Sequence, residues 1–216
     1  FFTNKVAKLK KTIYGLKQSM RRWNIRLVHY LLSQGYVQSQ ADPSLFILRS
    51  ENEIKSIIAT YVDDCILIGE FDEITKAKEV LSSEFKMTDL NEMTGILGVN
   101  VTQSADSIAL DQRAYLTRLL QKFGMLDCRP VSIPALPEKI NQINEDEEAK
   151  KPFDQNLYRQ AVGSLLYLSK CTRPDVTYAV NQVAKNMERP TQEDWMKVKR
   201  IFRYLKGTID YALTYA

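Results

Sequence analysis

Ile57-Ile58-Ala59-Thr60-Tyr61-Val62-Asp63-Asp64-Cys65-Ile66-Leu67-Ile68-Gly69 sets two aspartates between two apolar runs. The runs are β-branched and aliphatic, and Gly69 closes the second, which predicts strand, tight turn, strand. Nearly every flanking position is apolar, so the hairpin is expected to be buried on much of both faces. Carboxylates are costly to bury there without partners, and a divalent metal is the strongest partner. Adjacent residues on a regular strand point to opposite faces. In the bend of a hairpin, Asp63 and Asp64 can instead converge on one metal cluster. The competing reading is a plain turn, where Asp bonds nearby backbone.

The rest of the composition narrows the chemistry. The chain has 216 residues, 44% of them hydrophobic and 26% charged, enough for one large or two small globular domains. No apolar run approaches the ~20 residues of a membrane span. The opening Phe1-Phe2-Thr3-Asn4-Lys5 has neither an initiator Met nor a signal pattern, and reads as a piece of a longer chain. Cys65, Cys128 and Cys171 are widely spaced and give neither a zinc pattern nor a disulfide framework. Free thiols in a reducing compartment are expected. His29 is the only histidine, which argues against His-based metal clusters and Ser-His-Asp triads. Charge is uneven. Up to Ala41 there is no acid, and Lys5, Lys8, Lys10, Lys11, Lys17, Arg21, Arg22 and Arg26 all lie in that stretch. Such a segment reads either as a polyanion contact or as a solvated basic helix face.

Periodicity supplies the remaining elements. A helix is expected through Met20, Trp23, Leu27, Val28, Leu31 and Leu32, closed by Gly35. Strands are expected at Leu45 to Leu48 and Ile54 to Val62, and a helix capped by Asp72 follows. Ile96 to Val101 and Ser107 to Leu110 read as a hairpin, followed by a helix capped by Asp111 and ended by Gly124. From Arg129 to Asp154, Pro130, Pro134 and Pro137 come close together and an acidic cluster follows, without apolar period, so the stretch reads as a linker or mobile loop. Three helices fill the remainder: Leu157 to Ser169, one opening at Pro174-Asp175, and one running from Thr191 to Gly207. Tyr14 and Trp23 read as core aromatics rather than stacking platforms.

The motifs resemble a known family. Lys8-Leu9-Lys10-Lys11-Thr12-Ile13-Tyr14-Gly15-Leu16-Lys17-Gln18 resembles the K-L-x-K-x-x-Y-G-L-K-Q block of copia-type retrotransposon polymerases. Tyr61-Val62-Asp63-Asp64 is similar to the YxDD signature of reverse transcriptases. Gln40 to Phe46, Ile96-Leu97-Gly98-Val99, Val162 to Leu168, Thr172-Arg173-Pro174-Asp175 and Arg203 to Thr208 resemble further blocks, in order.

The resemblance implies an α+β right-hand polymerase: a palm of antiparallel sheet with packed helices, plus helical thumb and connection segments. Residues 1–110 would be partial fingers and palm, 111–128 the thumb helix region, 129–156 the linker, and 157–216 a connection toward a ribonuclease H domain. The activity implied is RNA-directed DNA polymerisation within a Pol polyprotein, with RNA template, DNA primer and deoxynucleotides as partners. Asp63 and Asp64 would hold Mg2+ or Mn2+. Tyr14, Gly15, Lys17, Gln18 and Tyr61 would line the nucleotide and template pocket, and Leu97-Gly98 would be the primer grip. Lys5, Lys8, Lys10, Lys11, Arg21, Arg22 and Arg26 would supply electrostatic attraction to nucleic acid. The setting implied is intracellular, in cytoplasm, virus-like particle or nucleus, without a membrane.

The chain also departs from the pattern. The family's third metal carboxylate lies upstream of the block that opens this sequence, so weak activity and an exposed sheet edge are expected. The alternative is an inactive retrotransposon remnant that at most binds nucleic acid. Met20 replaces the family's usual Pro, and Asn91 its usual Gly in a turn.

Overall fold

A computed structural model describes residues 8–136 and 147–216. Lys5 and the centre of the expected 129–156 linker lie outside the described residues. The chain is a mixed α/β protein with antiparallel sheets, and it divides into two compact units, Phe1–Asn91 and Glu92–Ala216.

The first unit opens with helix α1 (Ser19–Ser33). A four-stranded meander follows: β1 (Val37–Gln38), β2 (Leu45–Ser50), β3 (Glu53–Tyr61) and β4 (Asp64–Gly69), in sheet order β1-β2-β3-β4. Helix α2 (Phe71–Glu84) completes it. Alternation decides what is buried. Phe46 pairs with Ile58, and Ile58 with Leu67, so these share one face. Leu27 and Leu31 of α1 and Leu81 of α2 join Phe46 and Ile58 in one core, with Tyr36 and Phe85. The opposite face carries the row Ile47, Ile57 and Ile68, and Ile68 is half exposed. The expected burial on both faces is therefore corrected: both helices pack into the core on one side. Among the described residues strand β4 pairs only with β3 and forms the sheet edge. Gly69 is required by close approach, since a Cβ there would lie 2.7 Å from the Lys55 carbonyl oxygen. Asp72 is not the cap of α2. Glu70 holds that position without a side-chain bond, and Asp72 sits in the first turn, where its charge suits the helix dipole. Asn91 adopts φ 62°, a left-handed conformation that Asn tolerates in place of Gly.

The second unit pairs another meander with a helical core. Strands β5 (Gly95–Ile96), β6 (Val99–Gln103), β7 (Ile108–Asp111) and β8 (Leu213–Tyr215) form a sheet in that order. The helices are α3 (Arg113–Lys122), α4 (Gln155–Cys171), α5 (Thr177–Ala184) and α6 (Gln192–Gly207), with a 3-10 turn at Pro174–Val176. Leu116, Leu120, Leu165, Leu168, Val180, Ile201 and Phe202 interlock in one core. Ile96 to Val101 is not one strand: Leu97 and Gly98 form the two-residue turn between β5 and β6. Asp111 ends β7 rather than taking the cap position, yet its carboxylate accepts the Arg113 N–H at 2.9 Å. The flank 147–154 is anchored. Phe153 stacks on Trp195 with ring centroids 4.7 Å apart, and Gln192 and Glu193 donate their backbone N–H groups to the Lys151 and Ala149 carbonyls.

Candidate functional site

Strands β3 and β4 carry the paired aspartates at their shared tip. Tyr61 pairs with Asp64, leaving Val62-Asp63 as a two-residue turn. A tight turn needs one residue of positive φ, and Val62 takes it at 56°. For a β-branched side chain this is a strained conformation. Asp63 and Asp64 are both exposed, not buried as the apolar runs suggested, because the hairpin's end runs past the core. Their exposure removes the desolvation cost that made a cation obligatory. It leaves two carboxylates, adjacent in sequence, open to solvent. Neither makes an ion pair among the described residues. Among the described residues no group of three His, Cys, Asp or Glu side chains could hold a metal ion. Cys65 adds no thiolate, since burial pushes its pKa up to about 11 with the Asp64 charge adding to it. The donor set is thus two hard carboxylates, which suits Mg2+ with most positions left to water or phosphate.

The other sequence-derived residues distribute as follows. Tyr61 is 56% exposed beside the aspartates. Tyr14 is 93% exposed, which corrects its reading as a core residue. Gly15 has φ 91°, and Lys17 and Gln18 are exposed ahead of α1. Lys8, Lys10, Lys11, Arg21 and Arg22 are exposed. Arg26 differs: it pairs with Glu84 at 2.6 Å and lies over the Phe85 ring, so it ties α1 to the end of α2. Leu97 and Gly98 belong to the second unit. Both have positive φ, 51° and 78°, and Leu97 is half exposed.

Two side chains that the sequence does not connect to these turns touch them, one of them Trp23, whose reading as a core aromatic fits its packing. The Trp23 indole N–H donates to the Val62 carbonyl at 2.7 Å, and its ring meets Phe85 edge-on at 5.0 Å. Trp23 is therefore half-buried packing with a polar task. The Tyr167 hydroxyl of α4 donates to the Leu97 carbonyl. One signal was present in each case: a side chain ill-suited to positive φ at a turn, which requires something to hold it.

Comparison with known proteins assigns the family. Residues 2–137 match the family described as reverse transcriptase (RNA-dependent DNA polymerase). The chain belongs to that family. It is 37% identical over 214 residues to the retrovirus-related Pol polyprotein from transposon TNT 1-94 of Nicotiana tabacum, covering 94% of this chain and 16% of that protein. It is 36% identical to the Pol polyprotein from transposon RE1 of Arabidopsis thaliana, covering 97% and 14%. An uncharacterized mitochondrial protein of Arabidopsis thaliana is 41% identical over 154 residues, 71% of this chain and 62% of that protein. The similarity is thus to copia-type Pol polyproteins, and the chain spans about a sixth or less of the length of the first two. No solved structure matches.

Proposed function

We propose that this chain is the reverse transcriptase portion of a retrotransposon Pol polyprotein, and that Asp63 and Asp64 are its metal-holding carboxylates. One observation carries the reading: the family's Asp-Asp pair stands exposed at the tip of an edge hairpin, with no ion pair among the described residues. In this reading residues 1–110 form fingers and palm, 111–128 the thumb, and 157–216 the connection. Divalent ions, Mg2+ or Mn2+, would activate a primer 3′-hydroxyl and neutralise the departing pyrophosphate. The protein's own residues bind and orient. Tyr61 packs beside the primer end, and Tyr14, Gly15, Lys17 and Gln18 face the nucleotide and template. Leu97-Gly98 grips the primer strand. Lys8, Lys10, Lys11, Arg21 and Arg22 attract the phosphate backbone of an RNA template and DNA primer. The setting is the cytoplasm, virus-like particle or nucleus. No helix among the described residues is long and apolar enough to cross a membrane.

Among the described residues no third metal-ligating side chain joins Asp63 and Asp64, and two carboxylates neutralise a two-ion cluster poorly, so this polypeptide by itself should extend a primer little or not at all. The test has two arms. A labelled RNA–DNA hybrid should bind at low salt, with log affinity falling linearly with log salt. Lack of binding at low salt refutes the nucleic-acid reading. Primer extension on RNA with Mg2+ and deoxynucleotides should stay near background. Robust extension that disappears in Asp63→Asn would confirm the polymerase and refute the two-carboxylate limit.

A further inference from the structure

The Asp-Asp turn is held from outside its own hairpin. A two-residue turn normally gives its left-handed position to Gly or Asn. Here Val62 occupies it at φ 56° and is 39% exposed, so packing of its side chain does little to compensate the strain. The Trp23 hydrogen bond ends on the Val62 carbonyl, the peptide group that leads directly into Asp63. Trp23 is itself fixed. Its ring meets Phe85 edge-on, Tyr30 meets the same Phe85 ring at 5.3 Å, and the Arg26 guanidinium covers it at 5.5 Å. Arg26 is anchored in turn by Glu84. Helix α1 therefore presents an indole N–H whose position is set by the core, 39 residues from the turn it holds.

We propose that Trp23 is a positioning residue for the metal-holding turn: its N–H fixes the Val62 peptide so that Asp63 and Asp64 are presented together. This rests on the metal reading given above. Strained turns persist only where their surroundings over-determine them, and the indole bond is a contact from outside the hairpin onto the strained residue. Losing it should let the tip relax and swing the carboxylates apart. The loss of one net hydrogen bond corresponds to about a fivefold change in an equilibrium.

The test uses the 216-residue polypeptide with Mn2+ as the probe. Trp23→Phe removes the N–H and keeps an aromatic ring against Phe85. Paramagnetic broadening of the Asp63 and Asp64 amides reports local Mn2+ affinity, and amide exchange at Val62 to Asp64 reports the turn. Trp23→Phe should weaken Mn2+ about fivefold and speed exchange there by a similar factor, with the thermal midpoint little changed. Val62→Gly removes the strain, so the Trp23→Phe penalty should shrink in that background. Where Phe unsettles the core, β-(benzothien-3-yl)alanine at position 23 removes the same N–H inside an equal-sized ring. Unchanged Mn2+ affinity in either variant overturns the proposal while leaving the metal reading intact. So does a penalty of equal size in the Val62→Gly background. Absence of broadening at Asp63 and Asp64 in the parent chain refutes the metal reading, and the proposal with it.

Discussion

Arg173→Met should cost the second unit about 3 kcal/mol. Arg173 is 3% exposed, and all three of its guanidinium nitrogens donate hydrogen bonds. Nε and one terminal nitrogen grip the Asp175 carboxylate as a fork, at 2.9 and 2.7 Å. The other terminal nitrogen donates to the Thr208 carbonyl at 2.9 Å, while the nitrogen already on Asp175 also donates to the Thr208 hydroxyl at 2.6 Å. The Tyr204 and Tyr211 rings flank the cation at 5.7 and 5.3 Å. The group joins the end of α4 to the end of α6 and to the chain leading into β8. Met has a similar unbranched stem and keeps part of the packing, but it leaves the Asp175 carboxylate with only the Tyr204 hydroxyl as a side-chain donor and the Thr208 carbonyl without the guanidinium. Breaking a buried pair on one side costs about 3–5 kcal/mol. The Asp175 side chain is 32% exposed, so water recovers part of that and the lower end applies. Against a typical domain stability of roughly 5–15 kcal/mol the loss is large.

Urea unfolding read by Trp195 fluorescence measures it, because Trp195 packs against this unit's core. The pH dependence supplies a second reading. Burial alone would raise the Asp175 pKa, but the Arg173 fork and the Tyr204 hydroxyl outweigh it and hold the carboxyl below its ordinary value. A depressed folded pKa contributes stability that is fully present above the unfolded value, near 4, and is lost as pH falls through the folded one. The gap between parent and variant should therefore be constant near neutrality and narrow below about pH 4. A loss under about 1 kcal/mol, or a gap that does not narrow in acid, refutes the reasoning.

Two further outcomes follow from the second unit. Tyr167→Phe removes the hydroxyl that holds the Leu97 carbonyl and should cost about 1 kcal/mol, with faster amide exchange confined to Leu97 through Val99. Unchanged exchange there would show that the left-handed Leu97-Gly98 turn holds itself. Leu165→Ala empties a fully buried site between α3 and the later helices. It should cost about 2–5 kcal/mol, read as a shift in the urea midpoint at unchanged slope; a loss below 1 kcal/mol would mean that the core collapses onto the void.

What sequence could supply depended on how local the cause was. Helix α6 was legible at both ends, because Thr191 and Asp194 form a capping box within one turn and Gly207 stands at its close. The β3–β4 hairpin is legible because its two apolar runs and their turn lie within thirteen residues. Its exposure is not. Ile57, Ile66 and Ile68 look like core in the sequence, yet both helices joining this core pack on the other face of the sheet. Strands β1 and β8 were missed because two or three residues carry no period, and their pairing is set by tertiary partners. The Leu97-Gly98 turn was read as strand because Leu is not a residue expected at φ 51°. Tyr167 stabilises it from 70 residues away, beyond the reach of any local pattern. Tyr14 reads as core because aromatics at helical spacing usually pack, yet it precedes α1 and stands in solvent. The Asp-Asp pair itself was legible by motif, and what fixes its geometry was not.

The most direct measurement is the site of Mn2+ broadening across the amide spectrum of this chain. The account predicts that broadening centres on Tyr61 to Cys65 and disappears from those residues in Asp63→Asn/Asp64→Asn. Broadening that is absent from that tip, or that survives there without the two carboxylates, would contradict it.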